Sequence, residues 1–96
     1  MSADNGIYIT QWNDGYRVAE ASAIENIDFI NDSISELENK RLQDEYRKSV
    51  FGRSEVFKTE DEAFDRARAI YSIFRKRGWP VEYGIIPLGY FGEFPK

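Results

Sequence analysis

Carboxylates are the side chains of this sequence that are most able to take part in catalysis, metal binding or charge pairing. It carries 17 Asp and Glu residues against 13 Lys and Arg, and it contains neither Cys nor His. Without those two residue types it has no disulfide, no Cys/His zinc site and no Ser-His-Asp triad. Carboxylate pairs can cleave glycosides or hold Mg²⁺ when they converge in a cleft, but no calcium-loop or Gly-rich phosphate motif accompanies them here. We therefore expect a protein that is not an enzyme, with no catalytic residue, no metal site and no cofactor.

The acidic residues are concentrated between Glu20 and Glu45, a segment with a net charge of about −6 that leaves about +2 for the rest of the chain. Carboxylates spread along a helix could imitate the phosphates of a nucleic acid or steer the protein toward a basic partner. The same pattern is also typical of a solvated helix face that keeps a domain soluble. The acidic candidates for partner binding are Glu25, Asp28, Asp32, Glu36, Glu38, Asp44 and Glu45.

Aromatic residues near the end of the chain form a second candidate surface. Tyr90 and Phe91 lie in an aromatic tail over 89–96, where chains are normally polar and poorly ordered. They either fold back over the sheet to complete the core or contact a partner or a second copy. Trp12 and Trp79 present the same choice between core residue and binding anchor.

Basic residues are dense only at Arg75-Lys76-Arg77, which could touch phosphate or an acidic surface, although cations are also favoured at a helix C-terminus. The net charge of −4 argues against direct nucleic-acid binding. No apolar run reaches the roughly 18 residues of a membrane span, and the first residues do not resemble a secretory signal. We expect a cytoplasmic protein with no membrane partner.

The elements that must position these residues follow from local patterns. Alternating β-branched and aromatic residues around Asn13-Asp14-Gly15 predict a β-hairpin over 6–20. Two Ser-x-x-Glu pairs, starting at Ser22 and Ser33, and apolar residues at helical spacing predict a helical segment over 22–50.

The second half of the chain contains the clearest helix. Residues 55–58 predict a short strand, and the Thr59-x-x-Glu62 capping box opens a helix over 60–77. Residues 81–87 predict a strand ended by Pro87. The result is a single α+β domain over 1–96, with an antiparallel or mixed sheet of three to four strands packed against two or three helices. The predicted core joins Phe64, Ala67, Ile70, Tyr71 and Phe74 of the helix to Ile7, Ile9, Val18, Ile85 and Leu88.

Several of these segments resemble a group of small bacteriophage and prophage proteins, over about a third of the chain. The matching stretches are Asp4-Asn5-Gly6-Ile7-Tyr8-Ile9, Asp14-Gly15-Tyr16-Arg17-Val18-Ala19, Ala23-Ile24-Glu25-Asn26-Ile27, Phe57-Lys58-Thr59 with Glu62-Ala63, and Glu82-Tyr83-Gly84-Ile85. Small acidic phage proteins often inhibit host machinery, and anti-CRISPR and other anti-defence proteins are among them. The resemblance implies a host protein or nucleoprotein defence complex as partner, but it supplies no catalytic residues.

Two functional hypotheses follow. In the first, a non-enzymatic phage-type protein binds and inhibits a host defence complex, as an anti-CRISPR protein does, through acidic mimicry of nucleic acid in the host cytoplasm. In the second, the protein is a structural or assembly accessory that self-associates, as a homodimer, through the aromatic tail and the hairpin.

Overall fold

A computed structural model of the chain describes residues 5–22 and 36–94. Within these ranges a three-stranded mixed sheet carries one helix on each face, which confirms the predicted α+β class. The strand order is β2-β1-β3, with β2 antiparallel and β3 parallel to the central β1. The elements in chain order are β1 (Asn5–Trp12), β2 (Gly15–Ser22), α1 (Glu36–Phe51), α2 (Glu60–Lys76) and β3 (Ile85–Tyr90).

The hairpin of β1 and β2 turns at Asn13-Asp14, with Trp12 opposite Gly15 and Asn5 opposite Ser22. Gly15 has a φ of +134°, which disfavours any residue with a side chain. A Cβ at this position would also lie 2.5 Å from the Phe57 carbonyl oxygen. The turn therefore requires glycine for its backbone conformation and for the close approach of the chain that precedes α2.

One face of the sheet is covered by α2. The Thr59 side chain caps its first turn by accepting a hydrogen bond from the Glu62 N–H at 3.2 Å. Ala63 and Ala67 are fully buried, and their small side chains let the helix approach the strands closely. The core on this face contains Ile7, Ile9, Val18, Ala63 and Ala67, with Phe64, Ile70, Tyr71 and Ile85 partly buried around it.

The opposite face carries α1 and the segment that follows β3. Its core contains the buried side chains of Tyr8, Trp12 and Phe51, and strand alternation explains why Tyr8 points away from its neighbours Ile7 and Ile9. The ring of Trp12 lies 5.1 Å from that of Phe91 and 5.0 Å from that of Phe94, both edge to face. The two helices thus sandwich the sheet.

The last strand differs from the prediction over 81–87, because it runs from Ile85 to Tyr90 and contains Pro87 instead of ending at it. Proline is tolerated there because β3 forms an edge of the described sheet, where a missing N–H costs little. The preceding residues cannot join the strand, since Asn5 holds them in a loop through hydrogen bonds to Pro80, Glu82 and Tyr83.

Three further expectations were wrong. Residues 55–58 form no strand; Tyr16 and Phe57 exchange one pair of backbone hydrogen bonds, both 2.8 Å, before Thr59 caps α2. Leu88 packs in the Trp12 core, on the face of the sheet away from α2. Phe74 packs edge to face against Trp79, with the ring centres 5.2 Å apart, and is not part of the core beneath α2.

The structure describes only part of the predicted helical segment over 22–50. Ser22 is the last residue of β2, so the first of the two proposed caps is wrong, while α1 ends at Phe51, one residue beyond the prediction. Residues 23–35 lie outside the described ranges. Of the tail over 89–96, Gly89 and Tyr90 belong to β3, and residues 95–96 are also outside the description.

Candidate binding surfaces

The predicted acidic residues of α1 lie among basic ones on the same helix. Arg41 binds Glu38 one turn before it through two hydrogen bonds and Glu45 one turn after it at 2.6 Å. The Arg41 guanidinium holds the pKa of the Glu38 carboxyl below its ordinary value, chiefly by hydrogen bonding. Two of the candidate carboxylates are therefore already engaged by a cation.

The remaining charges of α1 cancel as well. The Asp44 carboxylate lies 3.7 Å from Arg47, and the helix as a whole has four acidic and four basic residues. Glu36 is the first residue of α1, whereas Glu25, Asp28 and Asp32 lie outside the described residues. The structure thus shows that α1 contributes no net negative charge of its own.

A series of acidic residues with no basic residue among them begins earlier in the chain. From Val18 to Asn39 the sequence has six acidic residues and no basic one; this segment, here called the acidic stretch, contains Glu20, Glu25, Asp28, Asp32, Glu36 and Glu38. Its first carboxylate, Glu20, lies on β2, the strand against which α1 packs. Burial, and then the negative charge of Glu20, raises the pKa of the Tyr46 phenol on α1. The acidic stretch therefore begins on the strand next to α1.

Tyr90 and Phe91, the two aromatic candidates, have different surroundings. Tyr90 is 63% exposed at the end of β3. Phe91 is half-buried in the Trp12 core, with Arg47 positioned over its ring at 5.1 Å. Of this pair, the structure leaves Tyr90 accessible to a partner and uses Phe91 for packing.

Arg17 organises a contact that the sequence did not predict. Its guanidinium is buried, donates to the Asp14 carboxylate at 2.7 Å and to the Phe51 carbonyl at 3.4 Å, and lies 3.7 Å from the centre of the Phe94 ring. A cation held over an aromatic ring in this way fixes the chain after β3 against the hairpin. In the sequence, the one nearby sign of this contact is Asp14, an acidic residue three positions before Arg17 at the hairpin turn.

The loop between α2 and β3 presents an aromatic side chain that the sequence left undecided. Trp79 is 47% exposed, so it is not a core residue, and Arg77 lies over its ring at 4.9 Å. Asn5 fixes the loop through three hydrogen bonds: it donates one to the Pro80 carbonyl and accepts one each from the backbone N–H groups of Glu82 and Tyr83. The loop therefore holds Trp79 at the surface without depending on a partner.

A shallow groove of about 430 Å³ runs along the C-terminal half of α2. We call it the basic groove, and its lining residues are Arg68, Tyr71, Ser72, Arg75, Lys76 and Ile85. The first five are spaced by three and four residues and so share one side of the helix, which faces β3 at Ile85. The sequence pointed to Arg75 and Lys76 but gave no indication of the concave surface around them.

The described residues contain neither a metal-binding cluster nor a membrane-spanning helix, and the chain matches no known protein. Over 5–22 and 36–94, no group of three or more acidic side chains is arranged to hold a metal ion. No helix in the described part of the chain is long and apolar enough to cross a membrane. Comparisons with protein-family models, curated proteins and solved structures find no match to this chain.

Proposed function

We propose that this protein acts by binding and not by catalysis, as a phage-type inhibitor of a host defence complex that handles nucleic acid. The acidic stretch is the binding element, and the partner surface is a channel lined by Lys and Arg that normally holds a phosphate backbone. A carboxylate series in that channel competes with nucleic acid for the same cations.

The observation that supports this proposal is the distribution of charge along the chain. The acidic stretch has six carboxylates over 22 residues with no basic residue among them. Its last two members, Glu36 and Glu38, lie in α1, where Arg41 binds Glu38 and where four basic residues balance four acidic ones. The four carboxylates from Glu20 to Asp32 have no basic residue between them in the sequence. An uninterrupted series of like charges destabilises a compact protein by self-repulsion, so it is retained most readily where a partner of opposite charge uses it.

Capture from a bacterial lysate tests the proposal, with identification of the retained proteins by mass spectrometry. The immobilised wild-type protein is expected to retain a nucleic-acid-handling complex at low salt and to release it as salt rises, because screening weakens charge pairing. The triple variant Glu25→Lys/Asp28→Lys/Asp32→Lys is expected to lose that complex.

The matched control is Glu55→Lys/Asp65→Lys/Glu93→Lys, which makes the same change in net charge at exposed positions elsewhere. It is expected to retain the complex. Equal capture by both variants, or a captured complex that still binds its nucleic acid at full strength, would contradict the proposal.

Self-association is the second candidate function, and the exposure of Tyr90 on an edge strand favours it. An edge strand offers unpaired backbone groups to a second copy, although Pro87 interrupts the series of donors.

Tyr90→Ser is expected to convert a dimer into a monomer in sedimentation experiments. Truncation after Leu88 is a poorer test, because it also removes Phe91 and Phe94 from the Trp12 core. A wild-type protein that is monomeric at high concentration excludes this function.

A further inference from the structure

The basic groove on α2 contains cations that the protein itself does not neutralise. Within the described ranges neither Arg75 nor Lys76 forms an ion pair, while Arg68 donates to Asp65 at 2.8 Å. The sequence explains why: no acidic residue lies three or four positions from Arg75 or Lys76 in either direction. Two positive charges therefore stand side by side at one end of the groove.

Compensation of the helix dipole accounts for only part of this arrangement. It favours cations in the last turn, where Arg75 and Lys76 lie. It does not require a concave surface, a third cation two turns earlier at Arg68, or the two hydroxyl-bearing side chains of Tyr71 and Ser72 between them. Together these groups provide charge, hydrogen-bond donors and, at Ile85, an apolar edge.

We propose that the basic groove binds an acidic, partly apolar peptide segment of a partner protein. Carboxylates of the segment pair with Arg75 and Lys76, the hydroxyls of Tyr71 and Ser72 donate hydrogen bonds to it, and an apolar side chain contacts Ile85. This site lies on α2, across the sheet from α1, and it is independent of the function proposed for the acidic stretch.

Several observations favour a peptide over a nucleic acid as the occupant. The volume of about 430 Å³ accommodates a few side chains and not a long backbone. Tyr71 packs against the core beneath α2, so its ring is not available as a stacking platform for bases. The net charge of −4 also repels an extended polyanion more strongly than it repels a short acidic segment.

The test uses fluorescence anisotropy of a labelled 12-residue peptide in which Glu and Leu alternate, added to the full-length protein. Arg75→Gln/Lys76→Gln is expected to weaken binding about tenfold, since it removes both unpaired cations. The matched control Lys40→Gln/Lys48→Gln removes two exposed cations from α1 and is expected to change the affinity less than about twofold. Circular dichroism checks that both variants keep their fold.

Two results would overturn the proposal. Equal loss of affinity in the two variants would show that the peptide responds to overall charge and not to the groove. Tighter binding of a labelled 12-nucleotide oligo-dT than of the peptide, lost in Arg75→Gln/Lys76→Gln, would assign the groove to nucleic acid instead. A Lys-Leu peptide of the same length completes the set, and Arg75→Gln/Lys76→Gln is expected not to weaken its binding, because a cationic peptide is attracted to the acidic residues and not to the groove.

Discussion

The two helices carry the same charges in different order. Each has four acidic and four basic residues, so each is neutral overall. In α1 the signs alternate, and Arg41 lies between Glu38 and Glu45 and binds both. In α2 three of the four acids lie in the first turn and two of the four cations in the last, and the described structure contains no ion-pair partner for Arg75 or Lys76. Spacing along a helix, and not net charge, decides whether a helix presents a potential to a partner.

The helices also differ in how they are held on the sheet. Ala63 and Ala67 bury the middle of α2 directly over β1 and β2. By contrast, among the described side chains of α1 only Phe51, its last residue, is fully buried; Tyr46 and Val50 are partly buried against the same core, and Leu37 near the start is 80% exposed. The helix α1 is therefore held at its C-terminal end, chiefly by Phe51, whereas α2 is held along a longer apolar stripe.

The largest expected effect comes from removing the anchor of α1. Phe51 is fully buried and its ring lies 6.2 Å from that of Trp12 and 6.5 Å from that of Phe91. Phe51→Ala is expected to lower the free energy of unfolding by about 3–5 kcal/mol, because a cavity replaces the ring. Urea denaturation measures this. Leu37→Ala in the same helix should change the free energy by less than about 0.5 kcal/mol, and a similar loss in both would refute the description of α1 as held at its C-terminal end.

A smaller effect is expected at the start of α2. Thr59→Ala removes the hydroxyl that accepts from the Glu62 N–H, and it is expected to lower the free energy of unfolding by about 0.5–2 kcal/mol. Thr59→Ser keeps that hydroxyl and serves as the control in thermal melts. An equal loss for both substitutions would mean that the methyl group of Thr59, and not its cap, stabilises the helix.

The smallest effect concerns the charge network of α1. The pKa of Glu38 lies below its ordinary value because Arg41 binds the carboxylate, so the pair stabilises the folded protein above that ordinary value and stops doing so as pH falls through the lowered pKa. Arg41→Gln is expected to raise the Glu38 pKa toward its ordinary value, measured by NMR titration of the side-chain carboxyl carbon. Lys40→Gln leaves Arg41 in place, and a rise of the same size there would contradict this assignment.

Local sequence patterns predicted the elements whose signals lie within a few residues. Asp14-Gly15 located the hairpin turn, and the Thr59 cap with its acidic first turn located α2 to within one residue at its end. The strand before the tail was misplaced because its start depends on Asn5, which is 75 to 77 residues away from its partners Pro80 and Glu82 in the sequence. No local pattern reports a contact over that distance.

The candidate binding residues were predictable only as residue types. The excess of carboxylates was evident, but the engagement of Glu38 and Glu45 by Arg41 depends on side-chain geometry along α1. Likewise, Tyr90 and Phe91 are neighbours of similar type, yet one is exposed and the other packs against Trp12. Because successive side chains of an extended chain point in opposite directions, Tyr90 and Phe91 face different surroundings. The position of the Trp12 core decides which of the two rings is buried.

The amino-acid sequence by itself determined the α+β class, the hairpin, the capped helix α2 and the segregation of charge along the chain, because periodicity, capping and turn chemistry act over a few residues. Only the tertiary structure decided that β3 runs parallel to β1, that Arg17 is buried beneath Phe94 and that Trp79 remains at the surface. It also brought Ile85 beside α2 to form the basic groove. These features join residues distant in sequence, and their placement depends on packing the whole chain around one sheet.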